Sequence, residues 1–198
     1  RSTPKPSSAA SDVYKRQSGD SVNAGGVDTV KDIVPNAYSP VYESTDAVDN
    51  GLATTSGRGT TGMWGYANSF AGLDISLGYN PKNSTAHSDP ETSIGITYAD
   101  GLMDGLTLVA GRMDDGNIAT NDTYGLKYTA GSITAAYQFT KVDYDSTATN
   151  DQDARHYGVS FAVNENLSVS AGRQSVDIDT AANDEVNTGV SALSLIHI

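Results

Sequence analysis

The sequence contains no cysteine, one tryptophan, few lysine and glutamate residues, and no long hydrophobic run. Without cysteine, disulfide frameworks and thiolate metal sites are excluded. No stretch approaches the roughly 18 consecutive apolar residues that suggest a transmembrane helix. The formal net charge is −12 at pH 7 and the basic residues form no stripe, so no nucleic-acid partner is expected.

Both ends of the chain read as foreign sequence. Residues 12–17 read DVYKRQ and residues 193–198 read LSLIHI. One DNA string encodes the first hexapeptide, and its reverse complement encodes the second. This relation resembles one sequencing adaptor ligated to the two ends in opposite orientations. We therefore predict that residues 1–17 and 193–198 are adaptor-derived, and we leave them out of fold reasoning. The remainder is expected to be an internal fragment, with a loop at 18–58 and strands at 59–192.

A nearly repeated octapeptide shows how the strand region is organised. Residues 105–112 read GLTLVAGR, residues 166–173 read NLSVSAGR, and GLDISLGY at 72–79 follows the same template. Successive side chains of a strand point to opposite faces, so this alternation predicts a half-buried strand in each place. The glycine or asparagine that opens each repeat supplies turn chemistry.

Strands of this kind are predicted along the whole region from 59 to 192. The predicted ranges are 60–69, 72–80, 92–99, 105–113, 122–130, 132–142, 154–163 and 167–176, with a ninth strand beginning near Val186. Short connections, such as Ala130-Gly131, alternate with long ones, such as PKNSTAHSDPE. This alternation is typical of antiparallel hairpins, and no crossover helix is available for a βαβ unit. The sequence therefore predicts an all-β, antiparallel up-and-down meander.

The two faces of these strands differ in a way that indicates their surroundings. One face carries large apolar and aromatic residues, and the other carries Ser, Thr, Gly and Gln with few charges. A water-exposed sheet face normally carries many Lys, Glu and Arg. Apolar-out and polar-in alternation over strands of about 9 to 11 residues predicts part of a transmembrane β-barrel. The expected lipid-facing stripe includes Leu77, Ile96, Leu108, Leu126, Tyr137, Val159 and Val169.

A soluble or surface-attached all-β domain, such as an adhesin or ligand-binding domain, is the alternative. Alternation alone does not separate the two classes, because one face of a soluble sandwich also packs on a core. They differ in a simple test, since a membrane barrel stays with detergent-extracted membranes and an adhesin domain is soluble without detergent.

Catalytic and metal-binding patterns do not stand out. Loop acids such as Asp114-Asp115 do not fit a calcium-binding loop and are interpreted as solvated charges. His156 falls on the small polar face, whereas His87 lies in a distant loop. Because no nucleophile–base constellation is present either, we expect no enzymatic activity, no cofactor and no metal site.

Three strand–turn–strand segments, 62–82, 98–112 and 157–173, resemble the general porins of the Gram-negative outer membrane. The resemblance implies an outer-membrane barrel of about sixteen strands, assembled as a homotrimer, through which ions and small hydrophilic solutes diffuse passively. It also implies a long loop that folds inward and narrows the pore, and residues 18–58 have the length and acidity of that loop. Within it, VDTVKDIV at 27–34 is predicted to form about two turns of helix, ended by Pro35.

The charge of residues 18–58 predicts an ion preference. The segment contains six carboxylates and two basic side chains, so we expect a bias towards cations. The predicted constriction residues are Asp28, Asp32, Glu43, Asp46 and Arg58, together with Lys127, which points to the lumen by strand parity.

Overall fold

In the computed structural model, the described residues are 16–17, 26–30, 33–35, 64–81, 89–116, 119–145, 151–164, 166–179 and 185–194. Within them, ten strands form one sheet in the order β1 to β10. Their ranges are β1 Arg16–Gln17, β2 Trp64–Phe70, β3 Leu73–Asn80, β4 Glu91–Ala99, β5 Leu106–Asp114, β6 Ala119–Ala130, β7 Ile133–Tyr144, β8 Gln152–Asn164, β9 Leu167–Ile178 and β10 Glu185–Ser194.

Each strand pairs antiparallel with its neighbours in sequence, and the described part of the sheet is open because β1 and β10 are its two edges. This confirms the predicted up-and-down meander. Short connections join the hairpins at one end, with six residues (100–105) between β4 and β5 and two residues in each of the others. Ala71 and Gly72 have φ of 50° and 82°, the positive values that a tight hairpin turn requires.

The large apolar side chains of the sheet point outward and are exposed, whereas the small and polar ones point inward and are mostly buried. Leu126, Val159 and Phe161 are 45%, 44% and 43% exposed, whereas Gln138 and Gln174 are 2% and 0% exposed. Of the expected lipid-facing stripe, Leu126, Tyr137, Val159 and Val169 are exposed, and Leu77, Ile96 and Leu108 are half-buried. This is the reverse of a water-soluble sheet and agrees with the predicted membrane barrel.

The predicted helix is shorter and tighter than expected. Instead of two turns over 27–34, the structure has a single 3-10 turn at Gly26–Thr29, in which Val30 N donates to Val27 O at 3.1 Å. Residues 33–35 are not helical, and 31–32 lie outside the described residues. In the described segments, no helix has the length and apolar character needed to cross a membrane.

Strand β1 and the end of β10 fall in the segments predicted to be adaptor-derived. β1 pairs with β2, and Leu193 and Ser194 pair with Ser168 and Leu167 of β9. Pairing does not bear on where these residues come from, so their origin stays a prediction.

Candidate channel wall and inward segment

Residues 26–30 and 33–35, called the inward segment below, lie against the inner face of the sheet. At its start, Gly26 N donates a hydrogen bond of 2.7 Å to Ser76 Oγ on β3. Its apolar side chains then pack on the wall in two clusters. The first contains Val27, Val30, Val109 and Met113, the second contains Val34 and Ala136, and Ile33 packs against both. The inward segment therefore crosses the strands from β3 towards β7 and β8.

Glycines on the inner face make room for this crossing. Four glycines lie under the inward segment, one on each of β4, β5, β6 and β8, and together we call them the glycine groove. They are Gly95, Gly111, Gly125 and Gly158. A Cβ atom at Gly111 would lie 2.6 Å from Val30 Cγ2, and one at Gly158 would lie 2.8 Å from Val34 Cγ1. At Gly95 a Cβ atom would collide with the backbone oxygen of Gly26. The groove thus fixes how closely the inward segment approaches the wall.

Buried but uncharged polar side chains continue the inner wall beside the groove. Gln138 Nε2 donates to Thr123 Oγ1 at 3.0 Å, and Thr123 Oγ1 lies 2.8 Å from Thr140 Oγ1. In the strand register, Gln138, His156 and Gln174 follow one another across β7, β8 and β9. This part of the wall offers amide, hydroxyl and imidazole groups rather than carboxylates.

Asp74 is a carboxylate of the inner face that the predicted constriction residues do not include. Asp74 of β3 is exposed and shares the inward parity of Ser76, a signal that was present in the sequence. It borders a cleft of about 320 Å³ between the 3-10 turn and the first full strands. The cleft is lined by Thr29, Ala67, Asn68, Ser69, Asp74, Ile75, Ser76 and Thr97.

The structure describes only part of the predicted constriction. Lys127 lies on the inner face of β6, half-buried, with Thr107 and Ala136 as its register neighbours. Asp28 belongs to the 3-10 turn, but its side chain is not described. Asp32, Glu43, Asp46 and Arg58 lie outside the described residues, so their roles stay predictions.

No group of three potential metal-binding side chains occurs within the described segments. Some of the buried polar groups near the inward segment bond to one another, as Thr123 and Thr140 do. The described wall therefore offers hydrogen-bonding groups but no cluster of side chains that could hold a metal ion.

An open antiparallel sheet with an apolar outward face and a polar inward face is the wall of an outer-membrane β-barrel. The profile of the Gram-negative porin family matches residues 11–193, nearly the whole chain, and the chain belongs to this family. The predicted family resemblance and the outer-membrane location are thereby confirmed.

Among solved structures, the crystal structure of Pseudomonas aeruginosa OccK11 (OpdR) is similar, with a TM-score of 0.48 and 12% sequence identity. The similarity covers 65% of this chain and 41% of that chain, so the present chain spans less than half of that protein. No curated relative matches the sequence.

Proposed function

We propose that the complete protein is a passive diffusion channel for ions and small hydrophilic solutes across the outer membrane. The observation that supports this most is the contrast between the exposed apolar face and the small, polar inner face on which the inward segment lies. The porin family is a class of channels rather than of enzymes. An inner wall of uncharged hydrogen-bonding groups suits passage of hydrated solutes without tight binding of any one of them.

The channel is proposed to favour cations and to assemble as a homotrimer. The carboxylates of residues 18–58 exceed the basic side chains, and Asp74 adds one on the described inner face. A low-dielectric wall focuses the field of such charges on a permeating ion. The trimer rests on the family resemblance, and native mass spectrometry of the detergent-extracted protein tests it, because a monomeric mass would contradict it.

Reversal potentials across a potassium chloride gradient test the cation bias in planar bilayers containing the full-length protein. Neutralising the four predicted constriction acids, with Asp28→Asn, Asp32→Asn, Glu43→Gln and Asp46→Asn, should move the reversal potential towards zero. The effect should fade as salt rises, because the Debye length falls from about 10 Å at 0.1 M to about 3 Å at 1 M.

A matched control removes a carboxylate from the outward face, where Asp177 is exposed on β9. Asp177→Asn should leave the reversal potential unchanged. If the fourfold variant also leaves it unchanged, residues 18–58 do not set ion preference. If the protein conducts no ions and is released from membranes without detergent, the adhesin alternative replaces the channel.

A further inference from the structure

The basic side chains of the described strands β2 to β10 are concentrated on the outward face. Lys127 alone among them points inward, and the outward ones are Arg112, Lys141, Arg155 and Arg173. The side chains of Arg112, Lys141 and Arg155 are 56%, 49% and 41% exposed. In a chain with a net charge of −12, this distribution places most of the described strand cations on the face turned to the membrane rather than to the pore.

Two of the outward cations are neutralised by neighbouring carboxylates. Arg112 donates from one terminal nitrogen (NH1) to both carboxylate oxygens of Asp122, at 3.1 and 2.9 Å. Lys141 Nζ donates to Asp143 Oδ1 at 2.5 Å. Each of these pairs brings a carboxylate against the cation, which lowers its net attraction for another anion.

The other two cations, Arg155 and Arg173, are less well matched. One guanidinium nitrogen of Arg155 is 3.6 Å from Asp153 Oδ2, beyond good hydrogen-bond length, and the group lies 5.7 Å from the centre of the Phe139 ring. No described carboxylate forms an ion pair with Arg173, whose register neighbours are Tyr157 and Thr188.

The repeated octapeptide makes this difference clear. Arg112 and Arg173 end the two copies and are both the seventh residue of their strands, β5 and β9. The following strand places Asp122 opposite Arg112, but Thr188 opposite Arg173. The same outward arginine is therefore neutralised in one copy and left with unused donors in the other.

Arg155 and Arg173 lie close together beside an aromatic pair. Arg155 is opposite Ser175 and Tyr157 is opposite Arg173, so the two arginines are diagonal neighbours, roughly 7–8 Å apart. Beside them, the Tyr137 and Tyr157 rings stack with centroids 6.4 Å apart and planes at 17°. The result is a cationic site with an exposed apolar floor.

Measured from the start of β9, the site lies beyond the middle of the apolar layer, on the side of the long loops. Arg173 is six residue steps from the start of β9, or roughly 15 Å along the membrane normal for a rise of about 3.3 Å and a tilt of about 40°. The apolar band of such barrels is about 25 Å tall, and a long arginine side chain can extend further towards the headgroups.

We propose that Arg155 and Arg173 bind the phosphate of a phosphorylated lipid whose apolar part packs on Tyr137 and Tyr157. Guanidinium groups match phosphate oxygens in charge and in the geometry of their donors. Asp153 and Asp177 face each other one row closer to the long loops and border the site on that side. Because the site faces the membrane and has an exposed apolar floor, it suits a lipid phosphate better than free phosphate. The proposal rests on the protein lying in the outer membrane, and it does not depend on whether the channel favours cations.

Native mass spectrometry of the folded, detergent-extracted protein tests the site with phosphatidic acid as the probe. Diacylglycerol with the same acyl chains and inorganic phosphate serve as comparison ligands. The wild-type protein should retain phosphatidic acid in preference to both. Arg155→Gln combined with Arg173→Gln should weaken retention by roughly tenfold or more, because hydrogen bonds between two charged groups are removed.

The control is Arg112→Gln, which removes an outward arginine already neutralised by Asp122 and should retain the lipid as the wild type does. Arg173→Gln alone carries the test if the double variant folds poorly, because Arg173 is exposed and makes no described ion pair. Equal retention in wild type and variant would overturn the proposal. So would equal retention of diacylglycerol, or displacement of the lipid by inorganic phosphate.

Discussion

On the outward side of β6 and β7, Leu126 and Tyr137 are 45% and 37% exposed, whereas on the inward side of the same strands Gln138 is 2% exposed and Thr123 is fully buried. In a water-soluble sheet this order is reversed, because burying apolar surface stabilises the fold and burying polar groups costs free energy unless they are hydrogen-bonded. The comparison shows that each face depends on a different partner. The outward face requires lipid, and the inward face requires the inward segment and a network of hydrogen bonds.

The largest expected effect comes from placing a charge on the outward face. Leu126→Arg should lower the free energy of unfolding in lipid bilayers by about 2–4 kcal/mol, because an arginine near the midplane is poorly solvated. Thr134→Arg, on the inward face of the neighbouring strand, should lower it much less. Denaturant titration of the refolded full-length protein measures both, and equal losses would show that the two faces are wrongly assigned.

A smaller effect is expected from filling the glycine groove. Gly95→Val should cost about 1–3 kcal/mol of stability and lower the single-channel conductance, because the added atoms collide with the Gly26 backbone and push the inward segment into the lumen. Gly65→Ala is the control, since a Cβ atom at Gly65 would meet no atom closer than Leu77 O at 3.8 Å. An unchanged conductance in Gly95→Val would mean that the inward segment does not narrow the pore.

The smallest effect concerns the buried hydroxyl network. Thr123→Val leaves the Gln138 amide without its acceptor and Thr140 without its hydroxyl neighbour, so a loss on the order of 1 kcal/mol is expected. Thr129→Val removes a comparable contact, 3.0 Å to Thr134 Oγ1, at an exposed position and should change stability by less. Equal losses of unfolding free energy in Thr123→Val and Thr129→Val would indicate that water reaches both hydroxyl pairs.

Much of the sheet could be predicted because a period of two marks which side chains share a face. Leu108, Leu126 and Tyr137 were assigned to one face by parity, and the register places them side by side. The strand ends were less predictable. β6 begins at Ala119 rather than 122 and β7 continues to Tyr144 rather than 142, because strands near the long loops carry polar residues on both faces and lose the alternating signal.

The inward segment could be predicted only in outline. The spacing of Val27, Val30 and Val34 fits a helix, but an α-helix of eight residues is about 12 Å long. The segment instead spans from Gly95 on β4 to Gly158 on β8, four strand spacings or roughly 19 Å along the sheet. A single α-helix over 27–34 is too short to reach that far. The groove that receives it is formed by glycines from different strands, and the sequence does not show that they line up.

The central claim is that one face of the sheet meets lipid and the other lines a water-filled channel. Single cysteines can be introduced at adjacent positions of β6, because these 198 residues contain no cysteine that would react beside them. With Lys127→Cys, a water-soluble charged thiol reagent should react and lower the current through the channel in a planar bilayer. With Leu126→Cys, the same reagent should leave the current unchanged, and a fluorophore attached there should be quenched by lipid-borne quenchers. Equal reaction from water at both positions, with equal effects on the current, would contradict the account.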